Sequence, residues 1–304
     1  MKKIMMALTT ADKVVVRVLV AIIAMCLIVI VLTGCGKEEP TVTVSTKEPE
    51  PMQKKVITFT FGDAMSMHPM TRATLTELNL TDLWVFDYVD GQLVTDCHQL
   101  STDDDFGSPS LSMEYGTHTL YFVASRSVNP TVSTDTKTIT WQTVRDTFWA
   151  TLQMTVEPAT SGQQSVSLSR VAGKLKISVA DVVPDGAAKF VVTPSTWYYG
   201  LRYDTGEAVS NHNTSISVNI PNSYIGTTDL VVNVFTISGQ TTWNTNVTAT
   251  LKASDNSTLG SVTIADVPIQ RNHITSYSGG ILTTGRSLTI TSDDEWIEDD
   301  AVTW

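Results

Sequence analysis

Cysteine is scarce in this chain: three in 304 residues, with Cys26 inside an apolar N-terminal run and only Cys35 and Cys97 beyond it. With Cys35 consumed by lipidation, as argued below, no intramolecular disulfide is available and a hydrophobic core must carry stability. Basic residues are also few, 20 against 31 acidic ones. A phosphate-binding surface needs clustered Lys and Arg, so nucleic acid is excluded as a partner. The five histidines, His68, His98, His118, His212 and His273, stand singly, whereas a zinc site needs several ligands together. There is no Gly-x-Ser-x-Gly elbow, and Ala172-Gly173-Lys174 lacks the upstream glycine of a phosphate loop. These absences point to a protein that is not an enzyme and carries no metal or cofactor.

What is present starts with an address. Lys2, Lys3, Lys13 and Arg17 charge the beginning, Val18 to Leu32 carries no charge, and the run ends in Leu32-Thr33-Gly34-Cys35. A charged start, a short apolar stretch and small residues make a secretory signal. Small residues before a cysteine also form a lipobox, so residues 1–34 are expected to be removed and Cys35 acylated. Several acyl chains anchor a protein durably to a membrane. Gly36-Lys37-Glu38-Glu39 resembles the surface-export signal of outer-membrane lipoproteins. Residues 35–55, with Pro40, Pro49 and Pro51 and no apolar periodicity, read as a tether. Loss of residues 1–34 leaves 16 basic against 30 acidic residues, a net of −14 that suits an exposed surface.

Beyond the tether, Thr, Val and Ser dominate and alternating runs recur, which predicts an all-β chain. Val56–Phe61 alternates and stops at Gly62-Asp63; Leu83–Val89 ends at Asp90-Gly91, a hairpin signal; His118–Ala124 follows. Trp141, Val144, Phe148 and Leu152 are spaced by three and four, which predicts a short helix. A second series of strands is expected at Lys174–Val179, Lys189–Thr193, Ser215–Ile220, Leu230–Thr236, Asn246–Leu251, Ser261–Ile264 and between His273 and Thr291. The regular spacing indicates antiparallel sandwiches, divided near residue 165 into domains at 56–165 and 166–304.

Three local features invite a ligand. Cys97 beside His98 resembles a nucleophile and base, but neighbours in a strand point to opposite faces. Asp103-Asp104-Asp105 and Asp293-Asp294-Glu295 offer carboxylate oxygens, but consecutive acids fit solvated turns better. Trp197-Tyr198-Tyr199 after Pro194 could form a glycan-stacking platform, or belong to the core.

Two stretches carry a family likeness: Leu168-Ser169-Arg170-Val171-Ala172, and Ile269-Gln270-Arg271-Asn272-His273 followed by Glu295-Trp296-Ile297 and Ala301-Val302-Thr303-Trp304. With the lipobox, the tether, the first strand and Arg72-Ala73, their order resembles the fimbrillins of type V pili. That resemblance implies two transthyretin-like β-sandwich domains, the first holding the short helix. It implies a lipoprotein precursor at the outer membrane and cell surface, cut after Arg72 by a trypsin-like protease. The cut would free the first strand, with Val56, Ile57, Phe59 and Phe61, and open a groove for another pilus subunit. The donor would be the tail, with Trp296, Val302 and Trp304 as inserting side chains around the acidic Glu298-Asp299-Asp300. Stalk, anchor and tip roles share these features; the alternative is a surface lipoprotein that captures glycans or a host protein.

Overall fold

The structure is a computed structural model, and it describes residues 53–63, 78–228, 230–239, 242–282 and 289–293. Cys35, Arg72, Ala73, Trp296, Val302 and Trp304 lie outside the described residues. Among those described, all extended regular structure is strand, with one short 3-10 turn at Asn222–Tyr224 and no α-helix. The described residues fall within one compact unit.

Seven strands make the first sheet: β1 (Lys54–Asp63), β2 (Asp82–Val89), β3 (Gln92–Leu100), β4 (Ser110–Glu114), β5 (Gly116–Ser125), β8 (Thr147–Val156) and β9 (Gln163–Arg170). Their order is β3-β2-β5-β8-β9-β1-β4. β8 and β9 pair only at Phe148 with Arg170 and Trp149 with Ser169. On either side of that narrow seam, β1, β4 and β9 share one core with β2, β5 and β8. That core holds Ile57, Phe59, Phe61, Leu83, Val85, Phe122 and Leu168. The predicted hairpin is present: Asp90 and Gly91 turn with φ of 50° and 78°, positive values that such turns require.

A second core lies between two four-stranded sheets. One holds β10 (Ala172–Val179), β15 (Val231–Ile237), β18 (Ile274–Gly279) and β19 (Thr289–Asp293), in the order β15-β10-β18-β19. The other holds β11 (Ala187–Pro194), β14 (Ile216–Asn219), β16 (Trp243–Ala253) and β17 (Thr258–Ile269), in the order β14-β11-β16-β17. Leu175, Phe190, Val192, Trp197, Val247 and Tyr277 pack between them.

The fourth sheet crosses the division expected near residue 165. It joins β6 (Val128–Ser133) and β7 (Thr138–Thr143) to β12 (Tyr198–Arg202) and β13 (Glu207–Asn211), in the order β13-β12-β7-β6. β7 meets β12 at Thr140 with Gly200, Ile139 with Leu201 and Thr138 with Arg202. Gly200 is needed there, because a Cβ would stand 2.8 Å from the Thr140 Cγ2. A third core sits beneath this sheet, with Phe86 stacked on Tyr203 at 4.1 Å.

The short helix expected over 141–152 is replaced by β7 and β8. Trp141 and Val144 belong to the core beneath the fourth sheet, whereas Phe148 and Leu152 face the core of the first. Four apolar residues at helical spacing thus serve two cores, and the β-branched Thr143, Thr147 and Thr151 among them favour extended backbone.

Candidate functional site

The first strand earns its position from both edges and one face. β1 runs antiparallel to β4 from Lys54 opposite Glu114 to Thr58 opposite Ser110. From Thr58 opposite Gln163 to Asp63 opposite Leu168 it runs parallel to β9. Alternation turns Ile57, Phe59 and Phe61 inward, all fully buried, and leaves Val56 60% exposed. Both phenylalanines meet Phe122 edge-on, at 5.2 and 5.6 Å. Burial of these three side chains contributes roughly 5–9 kcal/mol. Few polar ties add to this: Thr58 and Ser110 hydroxyls at 2.8 Å, Lys55 Nζ donating to Pro158 O at 2.7 Å, and the surface pair Lys54–Glu114 at 3.2 Å. Without β1, an apolar slot would open between two strands with unpaired edges.

The two family-like stretches meet in space. Arg170 holds Asp146 with two bonds, Nε to Oδ1 at 2.7 Å and Nη2 to Oδ2 at 3.1 Å, and its Nη1 donates to Asn272 Oδ1 at 3.0 Å. Asn272, at a left-handed φ of 58°, donates its backbone N–H to Ala172 O. Gly173 lets this turn come close, since a Cβ would stand 2.9 Å from Gln270 O. This junction is structural clamping rather than an open site.

The remaining sequence candidates separate. Cys97 packs toward the first core, while His98 stacks on Trp84 at 4.7 Å and bonds Asp82 at 2.8 Å. Burial, then the charges of Asp105, Asp96 and Asp103, push the Cys97 thiol up, away from the thiolate a nucleophile needs. Asp103 Oδ2 accepts from the Leu100 N–H at 2.7 Å, as a turn acid does. Among the described residues no group of three His, Cys, Asp or Glu side chains converges on a metal position. Trp197 is fully buried, with Nε1 donating to Phe235 O at 2.9 Å, so it presents no face to a glycan. Tyr198 and Tyr199 are half-buried.

One member of that platform opens onto something else. Tyr199, Trp141, Arg145 and His212 line a cleft of about 970 Å³ that also takes in β14 and Asn233 to Phe235 of β15. Its walls come from segments up to about a hundred residues apart, contributed by three different sheets. Sequence reading had no signal for this set except the aromatic run that contains Tyr199. Burial raises the Tyr199 phenol above its usual range. Burial, and then the neighbouring Arg126 charge, lower Arg145.

Residues 116–303 match the model of DUF6562, a family of unknown function, and the chain belongs to that family. The match begins at β5 and leaves β1 to β4 outside. No curated protein matches the chain. Among solved structures, a candidate adhesin from Bacteroides thetaiotaomicron superposes with a TM-score of 0.50 at 10% identity, over 82% of this chain and 98% of its own. A candidate polysaccharide-binding protein from the same organism gives 0.51 at 11% identity, over 78% and 95%. The fimbrial anchor protein Mfa2 from Porphyromonas gingivalis gives 0.46 at 11% identity, over 74% and 91%. At such identities the likeness to the first two is one of fold.

Proposed function

We propose that this is a cell-surface protein of fimbrial or adhesive type, exported as a lipoprotein through Cys35 and joined to other pilus subunits by strand exchange. The observation that carries the reading is β1, an inner strand seated by three fully buried side chains on one face and paired along both edges. In this reading residues 56–165 and 166–304 are two transthyretin-like sandwiches tied by the shared fourth sheet. Cleavage between Arg72 and Ala73 severs β1 from everything after it. The slot then accepts a strand from a neighbouring subunit, which satisfies both edges again. The tail supplies that strand. Glu298 and Asp300 share the face of Trp296 by alternation, and carboxylates are costly in an apolar slot. Val302 and Trp304 lie on that face too, so Trp296, Val302 and Trp304 are the apolar side chains offered for insertion, with the two carboxylates between them.

If the strand were kept, the same chain would serve as an anchor at the outer membrane, with the lipid retained. The N-terminal residue of protein recovered from the cell surface decides between these. Ala73 is expected for an assembled subunit; lipid-modified Cys35 on all recovered protein would contradict cleavage.

A second reading, ligand capture at the surface, is favoured by the cleft that Trp141, Arg145 and Tyr199 line. The solved proteins of this fold described as a candidate adhesin and a candidate polysaccharide-binding protein are consistent with it. Both readings require no catalytic group.

A further inference from the structure

The cleft between the fourth sheet and β14–β15 has the chemistry of a site awaiting a polar ligand. Trp141 is 4% exposed, and its Nε1–H has no hydrogen-bond partner. Asn233 Oδ1, in the same lining, is a buried acceptor that also lacks one. A buried donor and a buried acceptor left unpaired are both costly, so such groups usually have a partner that completes them. Hydroxyls dominate the rest of the wall, among them Thr140, Thr143, Ser210, Ser215 and Ser217, with amides from Gln142 and Asn219. Tyr199 adds an aromatic ring tilted against His212, 5.9 Å between centroids.

Charge narrows the ligand further. The chain carries 31 acidic residues, yet none of the described cleft lining is Asp or Glu. Arg145 lies in that lining beside Arg126, whose Nε is buried and unpartnered. Two neighbouring guanidinium groups repel one another, and Arg145 draws no ion pair from the described carboxylates; Asp146, next in sequence, is taken by Arg170. A planar carboxylate fits an arginine fork with two parallel bonds.

We propose that this cleft binds an acidic oligosaccharide, with the carboxylate on Arg145, ring hydroxyls on the Ser, Thr and amide wall, and a sugar face against Tyr199. The volume, at the upper end of small-ligand sites, suits a segment of several residues rather than one sugar. This assignment rests on the capture reading above and is independent of strand exchange.

Titration calorimetry on the full exported chain tests it, with tetragalacturonate and sialyllactose as acidic probes and cellotetraose as the neutral one. At least one acidic probe is expected to bind about tenfold or more tightly than cellotetraose, with affinity falling as salt rises. Arg145→Gln is expected to remove that preference. Ser217→Trp, on an exposed strand position, is expected to abolish binding by filling the cleft while the melting temperature stays unchanged. Equal binding of cellotetraose would overturn the acidic assignment but leave saccharide capture standing. No binding of any probe at millimolar concentration, or binding untouched by Ser217→Trp, would overturn the site itself.

Discussion

Arg170 and Asn272 stand 102 residues apart in sequence, and the guanidinium of one donates to the side-chain oxygen of the other at 3.0 Å. The same guanidinium holds fully buried Asp146 with two more bonds and lies 4.9 Å from the centre of the Phe148 ring. One side chain thus ties the end of β9 to the turn before β18, where the second sandwich closes.

Removing one partner of a buried ion pair leaves an uncompensated charge. Arg170→Ala is therefore expected to cost about 3–5 kcal/mol in urea unfolding. Asp146→Asn should cost less, because the amide oxygen still accepts one bond.

Seating of the first strand predicts a sharp contrast between its faces. Phe59→Ala is expected to lose about 3–5 kcal/mol, because Phe122 and its neighbours cannot close the gap. Val56→Ala, on the exposed side, should change stability by less than about 0.5 kcal/mol. Chemical unfolding followed by tryptophan fluorescence compares them.

Alkaline pH should weaken the fold. Burial, and then the hydrogen bond shared with the Tyr88 hydroxyl at 2.8 Å, drive the Tyr203 phenol far above its ordinary range. Burial also raises Tyr121, Tyr199 and Tyr277. A group with a raised folded pKa gives stability that is whole below its unfolded value, about 10 for tyrosine, and lost as pH climbs above it. The melting temperature should hold up to about pH 9 and fall beyond pH 10, and Tyr203→Phe should soften that fall.

The contact beneath the Asn272 turn is tight enough to test by adding one carbon. Gly173→Ala would set its Cβ 2.9 Å from both Gln270 O and Ile269 Cγ2. Overpacking of this kind typically costs about 1–3 kcal/mol. A thermal melt of the variant reads it directly.

Strands with plain alternation were legible in the sequence: β1, β2, β5 and most of those after Val171 fall where the pattern places them. The Asp90-Gly91 turn was legible too, because its chemistry is local. Residues 141–152 were misleading because their apolar side chains divide between two cores, so that periodicity no longer reports one face. The fourth sheet was invisible for a related reason. β7 and β12 are short, and nothing within either names its partner; the small Gly200 opposite Thr140 gains meaning only once the strands are paired. For Trp197 the sequence left a glycan platform and the core both open, and the fold buries it in the core. The cleft was hidden because Trp141, Arg145 and Asn233 are ordinary residues until folding brings them together.

Strand exchange is tested most directly by cutting purified, delipidated protein after Arg72 and following its mass by light scattering with intact mass spectrometry. The account predicts that the fragment bearing β1 leaves and that the remainder assembles into rising multiples of the subunit mass. It also predicts that removal of the residues after Ala301 prevents assembly. A cleaved protein that keeps the fragment and stays monomeric at high concentration would contradict it.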